Sequence, residues 1–377
     1  MSTYSLTILC WILALCTAQA KTFVGDHIDR HTTWRLAGSP YIVAGDIRVL
    51  SGVVLEIEAG VEVLFSTDAQ MVVEGALRAI GTAGKPIEIS GMNKGRWQGF
   101  HFRKHTSLEG KTSTDTTASA FEHCIFRGRQ YTPTYLIRCD ERTVSIINCR
   151  IYDCQTAIQT ERQGRAFVQD CHIERCYRPL HVRVTSQATM LHTRIKEFAL
   201  MLVSGSLEFA YNKVERSLAR GKYTGFVVWM TGGGVVNLHH NDFRRASQAA
   251  FTLYRASRRS TVTLYSNRFR KNYAHLSLSC EQTKKGKFLL QQNLFCQSTV
   301  QPILLFDDCY KQADTLQVDS NYFHRYTFEE LTTQQAVGMM PPATYSDSVQ
   351  FNLRFRALLP PRARRHWQAS VRGREKP

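Results

Sequence analysis

The residues best suited to chemistry are an acidic pair, Asp307-Asp308, and a basic tripeptide, Arg194-Ile195-Lys196. Two carboxylates can serve as general acid and base in glycoside cleavage. The two groups lie more than a hundred residues apart, and Ile195 falls on a buried column, so Arg194 and Lys196 are expected merely to flank it. His239-His240-Asn241-Asp242 suggests a metal. Neighbours on a strand point to opposite faces, so the two imidazoles are expected to be a solvated pair and not to share an ion. A calcium cage needs several carboxylates on neighbouring turns of chain. Asp153, Glu174, Glu197 and Glu215 are each interleaved with a basic residue, which predicts charge pairing between turns. No catalytic residue, metal ligand or cofactor is therefore assigned. Arg244, Arg245, Arg270 and Lys271 form the candidate face for an acidic ligand, because stacked guanidinium and ammonium groups can hold sulfate or carboxylate.

These residues are positioned by a repeat. An apolar residue, two variable residues, Asn or a small stand-in, one variable residue, and then Phe, Ile or Val recur nine times. The clearest copies are Leu238 to Phe243, Leu264 to Phe269, Leu290 to Phe295 and Val318 to Phe323. Upstream the frame persists with Cys124, Cys149, Cys171, Thr193 and Asn212 at the Asn position. The final apolar residues are spaced 25, 22, 22, 19, 29, 26, 26 and 28 apart. Such a period with short alternating strands predicts an all-β, right-handed parallel β-helix. Asn212, Asn241, Asn267, Asn293 and Asn321 are expected to form an internal ladder at a bend where Asn tolerates left-handed backbone. No Asn-x-Ser/Thr sequon occurs, so these residues are not glycan acceptors.

The expected organisation has five parts. Residues 1–20 read as a signal peptide, with an apolar Leu6–Leu15 stretch and Ala18-Gln19-Ala20 before Lys21. Residues 21–40 form a lead-in or N-terminal cap, and 41–325 the β-helix. Residues 326–353 are a C-terminal cap or linker, and 354–377 a basic disordered tail. The polar residues 104–119 are expected to project as a loop. Of the formal charge of +17, about 7 come from the tail, with eight basic residues and one acidic between Arg354 and Lys376. No later stretch is long and apolar enough to span a membrane, so any membrane contact would come through further sequence or a partner. A secreted chain without a recognised nucleic-acid motif is not expected to bind nucleic acid. Of eleven cysteines, nine remain after the signal, and secretion permits disulfides. Cys154 with Cys176, and Cys280 with Cys309, occupy matching positions on nearby turns and are expected to pair.

Arg194-Ile195-Lys196 matches a tripeptide of β-helical polygalacturonases, but the Gly-His-Gly that follows the acids there is missing. A broader resemblance lies in residues 33–105. Thr33-Trp34, Ser39-Pro40-Tyr41, Gly45-Asp46-Ile47, Leu55 to Val61, Val63-Leu64-Phe65, Val73 to Leu77, Ala79 to Thr82, Pro86-Ile87 and Trp97-Gln98-Gly99 follow in order. This series resembles the β-helix domains of the bark beetle (Anakonda) family, and the later Asn-x-Phe coils resemble them more loosely, to about residue 325. The resemblance implies an extracellular, non-catalytic scaffold for cell–cell adhesion at tricellular or septate junctions. The alternative is a secreted carbohydrate-active or acidic-glycan-binding β-helix. The expected partner is thus an extracellular protein or an acidic glycan.

Overall fold

The alternation of apolar and polar residues in segments such as Val262-Thr263-Leu264 is the signature of strands buried on one face. The computed structural model describes residues 21–104, 118–128, 135–218, 225–257, 259–279, 286–306, 316–319 and 321–324. Every strand pairing among them is parallel, and the chain is a right-handed β-helix. Its only described helices are two single 3-10 turns, Leu36–Gly38 and Met92–Lys94. No described helix is long and apolar enough to cross a membrane. The proposed signal peptide, cap and tail at 1–20, 326–353 and 354–377 lie outside the described residues, as do 105–117.

Three ladders run along the solenoid. The first has twelve strands, from Thr32–Trp34 through Val54–Ile57 and Ala76–Ile80 to Leu316–Asp319. The second begins at Tyr41–Val43 and continues through Glu62–Phe65, Ile87–Gly91, Cys124–Arg127 and their successors to Tyr322–His324. The third includes Gln70–Val73, Gly99–Phe102, Tyr135–Asp140, Thr156–Glu161, Arg178–Val182, Leu200–Val203, Gly225–Trp229 and Ala249–Arg255. The segment expected as a lead-in already belongs to this architecture. Thr22–Ile28 pairs with Tyr41–Val49, and Thr32–Trp34 with Val54–Ile57. Its apolar residues Ile28 and Trp34 join the core.

Register keeps like above like. Ile146, Val168, Met190, Phe209, Leu238, Leu264 and Leu290 stack in the first ladder with at most 1% exposure. The Phe column of the second ladder fills the bore, with Phe243–Phe269 and Phe269–Phe295 stacked at 4.9 and 5.2 Å. Burying each such side chain contributes about 1.5–3 kcal/mol.

The bend between these ladders uses two residues in distinct roles. His123, Asn148, Asp170, His192, Tyr211, His240, Ser266 and Gln292 have φ between 48° and 59°. Each directly precedes the Asn-position residue. The left-handed backbone thus falls one residue earlier than expected, on a side chain at the surface of the bend, and the buried Asn is released to bond between coils. The backbone N–H groups of Thr193, Asn212, Asn241, Asn267 and Asn293 donate to Oδ1 of the Asn on the next coil at 2.8–3.1 Å. Each Asn Nδ2 donates to a carbonyl of the preceding coil, as Asn267 does to Leu238 at 2.7 Å. From Asn212 to Asn293, Nδ2 also reaches the next Oδ1 at 2.9–3.1 Å. Upstream, the thiol of Cys149 and the hydroxyl of Thr193 take the N–H groups of Cys124 and Cys171, both at 3.4 Å. Small polarisable side chains therefore do the acceptor's work where Asn is missing.

Cys154 and Cys176 are buried on adjacent coils with their sulfurs 2.6 Å apart, as thiols. Burial raises the Cys154 thiol pKa well above its ordinary value. In material folded under oxidising conditions, peptide mass spectrometry without reduction is expected to recover a Cys154–Cys176 cross-link. Recovery of both as alkylatable thiols after unfolding would exclude it. Cys280 and Cys309 lie outside the described residues.

Candidate functional site

Four triplets in the sequence share a plan of polar, buried, polar: His101-Phe102-Arg103, Arg138-Cys139-Asp140, Gln159-Thr160-Glu161 and His181-Val182-Arg183. They end successive strands of the third ladder. Phe102, Cys139, Thr160 and Val182 point inward, each with 0% exposure. Strand alternation then sends both flanking residues outward. Parallel register aligns Val72, His101, Arg138, Gln159 and His181 in one outer row. Glu74, Arg103, Asp140, Glu161 and Arg183 make the row beside it.

The second row has buried acids. Glu74, Asp140 and Glu161 are 3%, 1% and 5% exposed. A buried carboxylate requires compensating charge and hydrogen bonds. Arg103 donates to Glu74 from Nε and Nη2 at 3.1 and 2.8 Å, and Arg48 stands 4.0 Å away. Arg162 grips Asp140 with Nε at 2.6 Å and with a second bond from Nη2. Arg138 Nε donates to Glu161 at 2.5 Å, and Arg183 Nη1 at 3.0 Å. Burial pushes the Asp140 pKa up, but the bonds from Arg162 and His101 more than offset that, and the net shift is downward. The guanidiniums remain open on their outer sides: Arg162 and Arg183 are 65% and 54% exposed.

Burial, reinforced by Arg138, lowers the His101 pKa although Asp140 lies 3.4 Å away. His181 is lowered to about 4 by burial and by Arg178 and Arg183, and its Nδ1 meets Gln159 Oε1 at 2.9 Å. A cleft of about 330 Å³ opens over Glu74, Arg103, Lys104, Asp140 and Arg162. It shares Arg48 and Arg103 with a second of about 700 Å³ that reaches Asp26, Asp46 and His101. His101, Asp140 and Glu161 offer ligand atoms within 4.8 Å of one another. Both carboxylates already carry guanidinium partners, whose positive charge opposes a divalent ion, so the donor set fits arginine and not a metal.

The four residues expected to form an acidic-ligand face divide differently. Arg244 and Arg270 donate to Asp242 at 2.6 and 2.5 Å, and Arg244 also meets Glu215 at 3.2 Å. Their charge is spent internally, because Asp242 sits between them on the same face. Arg245 and Lys271 occupy the next bend, with φ of 57° and 53°. They are therefore not one open cationic face. Arg194 pairs with Glu215 at 2.9 Å and Lys196 with Glu174 at 2.7 Å, so the basic tripeptide flanks the buried Ile195 as expected. Asp153 with Arg175 and Glu197 with Arg216, at 2.7 and 2.8 Å, complete the charge pairing between coils. Asp307 and Asp308 lie outside the described residues. His239 and His240 converge, Nδ1 to Nδ1 at 3.0 Å, because His240 is in the left-handed bend and not on a strand. His239 is completed by Glu208 at 2.6 Å.

The third-ladder cluster escaped the sequence reading because the repeat frame was built on the other two ladders. Variable segments separate its triplets from that frame. Their own polar–buried–polar pattern, spaced 37, 21 and 22 residues apart, was the available signal.

Residues 107–235 match the family model described as a right handed beta helix region. No curated protein matches the chain in sequence. Among solved structures, the periplasmic alginate epimerase AlgG is similar with a TM-score of 0.28 and 8% identity, over 80% of this chain and 76% of that one.

Proposed function

We propose that this β-helix binds an acidic glycan along the outer face of its third ladder. The carrying observation is the row of buried carboxylates that fixes Arg103, Arg138, Arg162 and Arg183 with their outer sides open. Guanidiniums held in advance lose little freedom on meeting sulfate or carboxylate. Coils rise by about 4.8 Å, comparable to one sugar of an extended chain, so successive arginines suit successive anionic units. Around the cleft stand six cations, Arg48, Arg103, Lys104, Arg138, Arg162 and Arg183, against four anions, Glu74, Asp140, Glu141 and Glu161.

The purified protein is expected to be retained on immobilised polyuronate or heparin and released by salt. Arg48→Ala combined with Lys104→Ala leaves Arg103 on Glu74, so folding is preserved. It is expected to weaken retention about threefold to tenfold and flatten the salt dependence. Equal retention on a neutral glucan, or none on the polyanion, would sink this reading. Products released from the polyanion would add catalysis to binding.

The adhesion-scaffold reading is favoured by residues 33–105, whose ordered motifs resemble the junctional β-helix family. Tagged protein would then concentrate at epithelial cell contacts. Uniform diffusion away from them would count against it.

A further inference from the structure

The outer row that carries Glu161 and Arg183 continues along the solenoid and changes character. Val182, Val203, Val228 and Leu253 are buried in register. The residues that follow them are Arg183, Ser204, Trp229 and Tyr254. Trp229 is 37% exposed, and its ring centroid lies 4.8 Å from that of Tyr254 at an interplanar angle of 63°. The register slips between Val228 and Trp229, which places Trp229 opposite Arg255 and makes Tyr254 the extra residue. Alternation past the buried Val228 and Leu253 points Trp229 and Tyr254 outward, and the bulge brings the exposed Arg255 beside them. Bulges commonly re-aim a side chain in this way.

We propose that Trp229, Tyr254 and Arg255 form a distal subsite for the same glycan chain that the arginine row holds. This rests on the acidic-glycan reading above. The Trp229 ring would stack on the C–H face of one pyranose with Tyr254 against its edge, and Arg255 would meet its anionic group. The position follows from coil arithmetic. Trp229 is two coils beyond Arg183, whose guanidinium reaches back to Glu161 one coil further, so roughly 10–14 Å along the axis separates them, which a chain of several sugars bridges more fully than a disaccharide. An exposed tryptophan next to a second ring on the row of a polar cleft suits an amphipathic partner such as a sugar, apolar on its faces and polar at its rim.

The test titrates wild type, Trp229→Ala and Trp229→Phe with a galacturonate disaccharide, a galacturonate octasaccharide and a neutral cello-oligosaccharide, by calorimetry. Thermal melting confirms that each variant folds. The expected result is that Trp229→Ala weakens the octasaccharide about threefold to tenfold, leaves the disaccharide unchanged, and is largely rescued by phenylalanine. Equal octasaccharide affinity for wild type and Trp229→Ala would overturn the subsite while leaving the arginine row standing. Trp229-dependent binding of the neutral chain alone would support the subsite and overturn the acidic reading. Failure of wild type to bind any of the three would overturn both.

Discussion

Gly99→Ala is expected to be among the most damaging single substitutions in this chain. Gly99 has φ of +80°, a conformation that L side chains rarely adopt. A Cβ there would stand 1.9 Å from the Tyr135 carbonyl oxygen and 2.6 Å from that of Leu136. These are backbone atoms of the next coil, so no rotamer change relieves the clash. The coil would have to separate locally, breaking the pairing of Phe100 with Ile137 and His101 with Arg138. Strain and lost pairing together amount to about 3 kcal/mol or more. A thermal melt should show a fall of roughly 5 °C or more. Gly45→Ala is the control: nothing lies within 4 Å of its added Cβ, and its melt should match wild type. Because Gly99 leads directly into His101, Gly99→Ala protein that survives should also lose polyanion retention. An unchanged melt for Gly99→Ala would mean that the third ladder yields more easily than its register implies.

Asn267→Ala should be comparably costly for a different reason. Asn267 is 1% exposed, and its Oδ1 accepts from both the backbone N–H and Nδ2 of Asn241. Its Nδ2 donates to the Leu238 carbonyl and to Asn293 Oδ1. Alanine removes all four bonds and strands the Asn241 N–H and the Leu238 carbonyl in the interior. A buried group left without a partner costs about 1–3 kcal/mol, so a total of about 3–5 kcal/mol is expected. Ser266→Gly, one residue away at φ 52°, should be neutral or mildly stabilising, because glycine adopts that backbone freely. Chemical denaturation of the two variants separates the roles of the neighbours. Equal midpoints for Asn267→Ala and wild type would remove the ladder from the account of stability.

The β-helix was legible because its buried columns repeat with the chain's own period. Leu238, Asn241 and Phe243 return as Leu264, Asn267 and Phe269, and nothing but stacked coils places them together. The candidate site was far less legible. Asp140 and Glu161 carry no recognisable motif, and 21 residues separate them in sequence. What joins them is register between adjacent strands, which depends on every loop length before them. The charge balance around Asp242 was hidden for a related reason. Arg244 and Arg270 are in register and both reach Asp242, and Arg244 also reaches Glu215, so acids that a count of basic residues does not show share their charge.

The Asn ladder also has a sense of direction. From Asn212 to Asn293, every rung gives its N–H toward the later coil and its Nδ2 to a carbonyl of the earlier one. A coil copied in tandem within this stretch would meet the same donor above and the same acceptor below. Lengthening by duplication of one repeat is therefore nearly silent, whereas insertion of half a repeat disrupts every rung it touches. The architecture gives the gene a natural unit of growth. It lets the arginine row and the aromatic pair be moved apart or brought together one coil at a time.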